Sequence, residues 1–211
     1  MKHLLCGIIF FSCTLMQGQT SATWETRVLS KINHASYAQS AFWQPYSNSV
    51  MVVGSSNVFF TPYLAARRGE NWKRELCAQA GGVLINGSLT WLVKTSVERE
   101  RPFDTYPDHI DPHYHPHDFS FPSGHTSWAF QWATATALYA KKWYVAVPCY
   151  AYASSIAFSR MVMGVHYPSD VLAGALLGSG SAWLSWKINE KLFGHNASRD
   201  QVSLLKMNGE Y

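Results

Sequence analysis

Two histidines, an aspartate and three fixed cations in this 211-residue chain fall in three short stretches whose spacing suits acid–base and anion chemistry. In "SRMVMGVHYPSD", Asp170 follows His166 by four residues. At the opening of a helix, it can accept one ring N–H and leave the other ring nitrogen free. An imidazole oriented this way serves as a base or a nucleophile. In "FPSGH", Pro122, Ser123 and Gly124 precede His125 and an apolar run. Proline fixes the backbone, serine is a favoured N-cap, glycine permits close approach, and the free N–H groups of a helix start favour an anion. In "KTSVERERP", Lys94 stands seven residues before Arg101, which Pro102 follows; Arg160 supplies the third cation. Taken singly, each stretch also reads as a capped helix or a solvated basic helix end. Their chemistry depends on whether the fold brings them together.

The elements that would do so are read from hydropathy. After an amphipathic piece from Trp24 to His34, mainly apolar stretches run over roughly 45–65, 76–93, 125–140, 143–158 and 169–186. They lack strand-like alternation and have helical lengths, which predicts an all-α antiparallel bundle. At 1.5 Å per residue, the stretch 125–140 is about 24 Å long and 143–158 matches it. The tight Lys141–Lys142 turn then returns Ser159 and Arg160 to the end where His125 begins. Lys94 and Arg101 reach that end as well, so the active site is expected at one end of the bundle. Cations crowded together are costly without an anion, and a phosphate is the natural occupant.

The motifs Lys94–x6–Arg101–Pro102, Pro122–Ser123–Gly124–His125 and Ser159–Arg160–x5–His166–x3–Asp170 resemble the three signatures of the type 2 phosphatidic acid phosphatase superfamily. That family includes lipid phosphate phosphatases, bacterial class A acid phosphatases and vanadium haloperoxidases. Residues 94–170 match without a gap or substitution at any signature position. The resemblance implies that His166 attacks phosphorus to form a phosphohistidine and that Asp170 holds its ring. It implies that His125 protonates the leaving oxygen and then activates water. Lys94, Arg101, Ser123, Gly124 and Arg160 would bind the phosphoryl oxygens. No cofactor and no metal is implied, because the cations supply the charge that such a transition state needs.

A phosphatase acting on phosphorylated lipids is therefore expected. Phosphatidic acid, phosphatidylglycerophosphate, an isoprenoid pyrophosphate and the phosphate of lipid A are the candidate substrates. "HYPSDVLAGALLG" resembles the membrane branch of the family more than its soluble acid phosphatases. A soluble periplasmic acid phosphatase of broad specificity is the alternative. Haloperoxidases of the family are usually much longer, and a non-catalytic phosphate-binding protein would not need both histidines and the aspartate.

Composition bears on location. Charged residues make up 14% of the chain, and nine tryptophans and eleven tyrosines suit a membrane–water boundary. A net charge of +4 from scattered cations does not argue for nucleic acid, and nothing points to a protein partner. Lys2, the apolar run from Leu4 to Met16 and the small, polar residues after it read as a signal or N-terminal anchor over 1–22, ahead of one helical domain at 23–211. Basic connectors at 67–75 and 141–142, with Lys187 and Lys191, fall at the end opposite the motifs. The positive-inside rule then puts the site on the periplasmic face of an inner membrane. Against this, spans of 15 to 18 residues are shorter than the ~20 that cross a bilayer. Asn57, Gln79, Asn86 and Gln131 are also costly in lipid unless they face inward. Cys77 and Cys149 are expected to be buried thiols. The loop "PDHIDPHYHPHDF", with His109, His113, His115 and His117, is open to three readings: a lid over the substrate headgroup, an uninvolved loop, or a metal site with Asp108, Asp111 or Asp118.

Overall fold

The computed structural model describes residues 23–36 and 40–207; the expected signal or anchor segment at 1–22 lies outside them. Every described element is a helix: α1 (Trp24–Ser36), α2 (Ser40–Arg67), α3 (Trp72–Val97), the short α4 (Pro102–Thr105), α5 (Gly124–Ala140), α6 (Trp143–Val162) and α7 (Pro168–Met207). The helices outrun the apolar stretches because helix-forming polar residues continue them. At the start of α3, for example, Asn71 caps the polar turn by accepting the Arg74 N–H at 3.2 Å.

Chain reversals set the topology. Glu98 and Lys141 adopt left-handed backbone conformations with φ of 49° and 51°, ending α3 and α5. Antiparallel α5 and α6 follow from the short Lys141–Lys142 turn, and a turn at residues 163–167 leads into α7. Gly164, at φ +70°, is required there, since a β-carbon would lie 2.8 Å from Ile110 Cγ2. α5 packs mainly between α6 and α7. Its backbone approaches α7 so closely that a β-carbon on Gly178 would sit 2.0 Å from the Ser127 carbonyl oxygen.

Two apolar clusters hold the bundle. Val50, Ala129, Ala133, Cys149, Ala153 and Ile156 join α2, α5 and α6. Leu29, Phe103, Ile110, Met163, Val165 and Tyr167 join α1, α4 and the turns at the motif end. Around these clusters, polar side chains also lie inside the bundle and large apolar ones outside. Asn57, Gln79, Asn86 and Gln131 are buried, whereas Val52, Phe59, Leu84, Trp91, Val147 and Leu176 face outward. Asn57 Nδ2 donates to Gln79 Oε1 at 3.2 Å, and Ser127 Oγ donates to Asn86 Oδ1. The amides that looked costly in lipid therefore point into the bundle. Phe42–Arg67 and Trp72–Thr105 are long and apolar enough to cross a membrane. Cys149 is buried as expected. Cys77 is not: it lies on the outward face of α3, where an apolar neighbourhood in sequence does not mean burial.

Candidate active site

The turn before α7 carries His166, which is only 2% exposed. Its two ring nitrogens meet opposite chemistry. Nδ1 lies 3.6 Å from Asp170 Oδ2, and Nε2 lies 3.4 Å from Arg101 Nη1. Arginine can only donate, so its approach to Nε2 fits the tautomer with the proton on Nδ1, facing the carboxylate. Burial, with the positive charges of Arg160 and Arg101 adding to it, holds the His166 pKa down at about 4. The ring is neutral at neutral pH, with a lone pair on Nε2.

Asp170 is fully buried and is fixed by the start of its own helix. Its Oδ2 accepts the Tyr167 N–H at 2.8 Å, the reach-back of a capping box from the third helical residue to the N-cap. The same oxygen accepts from Ser120 Oγ at 2.5 Å, while Oδ1 accepts from Arg99 Nη1 at 2.7 Å.

The expected cations gather beside this pair. Arg101 donates from Nη1 to the Val165 carbonyl at 2.7 Å and from Nε to the Asp118 carbonyl at 2.8 Å. Lys94, near the end of α3, donates to the Phe119 carbonyl at 2.7 Å. Asp118 bridges the two, with Oδ2 on Lys94 Nζ and Oδ1 on Arg101 Nη2, each at 2.5 Å. Partial burial acts to raise the Asp118 pKa, but Lys94 and Arg101 outweigh it and hold the carboxyl at about 2. Arg160, 1% exposed on α6, donates to Ser47 Oγ at 3.1 Å and to the Tyr114 hydroxyl, and its Nε has no partner among the described residues.

The "PSGH" stretch opens α5 at the same end. Ser123 is its N-cap residue, and its N–H donates to the Asp170 carbonyl at 3.0 Å. Thr126 Oγ1 donates into Ser123 Oγ at 3.0 Å, which leaves the serine proton for another acceptor. A β-carbon on Gly124 would meet nothing within 4 Å, so the space over this helix start is open. His125 follows, with Nε2 3.2 Å from Asn48 Oδ1 on α2. The expected site residues thus share one end of the bundle.

Several members of this arrangement escaped the sequence reading, and Asp118 entered it only as a possible metal ligand. Asp118 and Ser120 stand just ahead of the "PSGH" stretch and Arg99 lies inside "KTSVERERP", so their positions are near motifs although their roles are not spelled by spacing. Asn48, Ser47 and Glu25 come from α1 and α2, where no local signal marks them. The histidine-rich loop is strapped to α1: Asn33 Oδ1 accepts the Asp111 N–H at 2.8 Å, and the His34 ring lies 3.1 Å from the His109 carbonyl oxygen and 3.5 Å from the Asp111 carboxylate. Among the described residues no three His, Cys, Asp or Glu side chains come together as a metal-binding group. The loop does touch the site, through Tyr114 on Arg160.

An all-helical bundle with an oriented histidine–aspartate pair and clustered cations at one end defines an anion-handling helical protein. Residues 75–193, over half of the chain, match the PAP2 superfamily, and the chain belongs to that family. It is 34% identical over 129 residues to a lipid A 1-phosphatase of Porphyromonas gingivalis, covering 60% of this chain and 26% of that protein. It is 40% identical over 73 residues to an undecaprenyl-diphosphatase of Sulfolobus acidocaldarius, covering 35% of each. The alignments thus span only about a quarter to a third of those relatives. The crystal structure of Aquifex aeolicus LpxE superposes with a TM-score of 0.63 at 27% identity, covering 78% of this chain and 96% of that one.

Proposed function

We propose that this chain is a membrane-embedded phosphatase that hydrolyses phosphate esters of lipids through a phosphohistidine formed on His166. The observation that carries this reading is the buried His166 ring, with Asp170 behind Nδ1, Arg101 at Nε2 and the Arg160 charge acting on the same ring. Family membership and the names of the relatives support the same reaction class.

In the first step the Nε2 lone pair attacks phosphorus, the ester P–O bond breaks, and His125 gives its proton to the leaving oxygen, its ring cation being disfavoured by burial and by Arg160 until the phosphoryl anion offsets them. Asp170 stabilises the positive charge that appears on the His166 ring. In the second step His125 takes a proton from water, whose oxygen attacks phosphorus as the N–P bond breaks. Arg101, Lys94 and Arg160 face the phosphoryl oxygens together with the Ser123 hydroxyl and the Gly124 N–H. Preorganised donors of this kind carry most of the stabilisation in phosphoryl transfer.

The outward apolar surface and inward amides support a bundle immersed in lipid, which favours a lipid substrate over a soluble one. Basic connectors at the far end support a site on the periplasmic face of the inner membrane. Phosphate release by detergent-purified protein tests the reading. The panel is phosphatidic acid, phosphatidylglycerophosphate, an isoprenoid pyrophosphate, lipid A and a soluble phosphomonoester. Turnover of one or more lipids is expected. Turnover of the soluble ester alone would favour a broad-specificity acid phosphatase, and no turnover of any would sink the enzyme reading.

A further inference from the structure

Arg99 occupies a position between Lys94 and Arg101 to which the motif gives no role, yet it is built into the histidine–aspartate pair. Its Nη1 donates to Asp170 Oδ1 and to Ser169 Oγ, both at 2.7 Å, and its guanidinium lies 3.9 Å over the Tyr167 ring. Nη2 donates to Glu25 Oε2 on α1 at 2.9 Å. Glu25 Oε1 in turn accepts the Ser169 N–H at 3.0 Å, one of the free amides at the start of α7. Ser120 closes the ring, donating its hydroxyl to Asp170 and its N–H to the Arg99 carbonyl at 2.7 Å.

We propose that Glu25 and Arg99 are positioning residues: the ion pair aims the Asp170 carboxylate at His166 and sets how much negative charge it presents to the ring. The inference rests on the reading of His166 as the nucleophile and extends it to α1, outside the residues that match the family. A buried carboxylate needs charged or hydrogen-bonding partners, and the arginine fork supplies two donors in a fixed plane that a lysine cannot reproduce. Without Glu25, Nη2 loses the partner that fixes its rotation, and the plane is left to the Tyr167 ring and Ser169 Oγ. Misplacement of a reacting group by about 1 Å can cost about 100-fold in rate.

Arg99→Met, Arg99→Lys and Glu25→Ala, made in the full chain and purified in detergent, test this. Two readouts are needed: kinetics on a phosphorylated lipid and the ¹⁵N NMR signals of the His166 ring. The charged and titratable groups facing that ring are Asp170 from α7, Arg101 from the loop after α3, Arg160 from α6 and His125 from α5. Removing Arg99 subtracts a positive charge and leaves more of the Asp170 negative charge to the ring, which makes His166 more basic, while the loss of aim acts on kcat. Arg99→Met should lower kcat about 100-fold with KM within about 3-fold, and the acid limb of kcat/KM should move to higher pH with the NMR titration. Arg99→Lys should restore the limb but only part of kcat, and Glu25→Ala should cost about 10-fold in kcat. A purely structural role would lower the yield of folded protein and leave its ring titration unmoved. An unshifted ring titration in folded Arg99→Met, with kcat within about 2-fold of wild type, would overturn the proposal. Should Arg99→Met fail to fold, Glu25→Ala decides by the same criteria. Should the wild type hydrolyse nothing, the phosphatase reading fails, while the ring signals still judge the positioning.

Discussion

The Asp170 carboxylate and the His166 ring stand 3.6 Å apart, just beyond hydrogen-bond reach, with Arg101 at the ring's opposite nitrogen. The contact has room to shorten when Nε2 takes up a phosphoryl group and the ring becomes a cation. His166→Ala should therefore abolish turnover, by at least about 10³-fold, and leave the helical fold intact. Asp170→Asn keeps the side-chain size but loses the charge, and should cost about 10²- to 10⁴-fold. Phosphate release beside circular dichroism checks both, and more than about a tenth of wild-type rate in His166→Ala would contradict the nucleophile assignment.

The acid limb of activity follows from the same burial. A histidine held at about 4 keeps its lone pair as pH falls through 6, and loses it only when protonated near 4. kcat/KM for the free enzyme should thus persist below the ordinary histidine range, once corrected for the substrate's own second ionisation at about pH 6. A limb that follows an ordinary histidine, at about 6.5, would show that the ring is open to water in solution.

Asp118 puts a carboxylate on both Lys94 and Arg101, where an incoming phosphoryl group would need to bind. Its side chain is 58% exposed, so it can swing away, yet it competes for the two cations. Asp118→Asn should tighten inhibition by vanadate or inorganic phosphate about 3- to 10-fold, because a neutral amide gives up the cations more easily. Weaker inhibition would mean that Asp118 holds the cations in place instead. Vanadate should compete with substrate, while EDTA should leave activity unchanged, since the fixed cations supply the charge.

Much of this site was legible because its chemistry is local. His166 and Asp170 share one helix start, and Pro122 to His125 are contiguous, so spacing alone sets their geometry. The helical hairpin of α5 and α6 was equally readable from two matched apolar runs and a two-residue turn. Glu25 was not, because its partner Ser169 is 144 residues away and no local pattern records such a pairing. The far end of α7 was missed for a different reason. Beyond residue 186 the chain turns polar, so hydropathy stops while helix propensity continues to Met207. Cys77 shows the limit of composition: α3 buries Glu75, Gln79 and Asn86 and turns Cys77 outward, so hydrophobicity does not mark its buried face.

Close packing of α5 on α7 should also be measurable. With 2.0 Å between a β-carbon at position 178 and the Ser127 carbonyl oxygen, Gly178→Val must push the two helices apart. The start of α5 carries Ser123 and His125, while α7 carries Asp170, so the displacement reaches the site. Overpacking of this kind costs about 1–3 kcal/mol or more, and both the thermal midpoint in detergent and kcat should fall. A variant as stable and active as wild type would show that the helices do not meet so closely.

Topology is the last test, and it separates a bundle in lipid from a soluble one. If the bundle spans the inner membrane, Lys142, at the α5–α6 turn, and Asp111, in the loop strapped to α1, lie on opposite sides. The basic connectors argue for Lys142 inside and Asp111 outside. Cys77 faces outward on α3, so Lys142→Cys and Asp111→Cys belong in a background without the native cysteines. In intact spheroplasts a membrane-impermeant thiol reagent should label the cysteine at position 111 and spare the one at 142 until the membrane is opened. The reverse pattern would invert the orientation and put the site against the cytoplasm. Equal labelling, with the protein released by osmotic shock, would mean that the outward apolar side chains are covered by something other than lipid. The lipid substrate would then lose its support, whereas the geometry of His166, Asp170 and His125 would still call for a phosphorylated one.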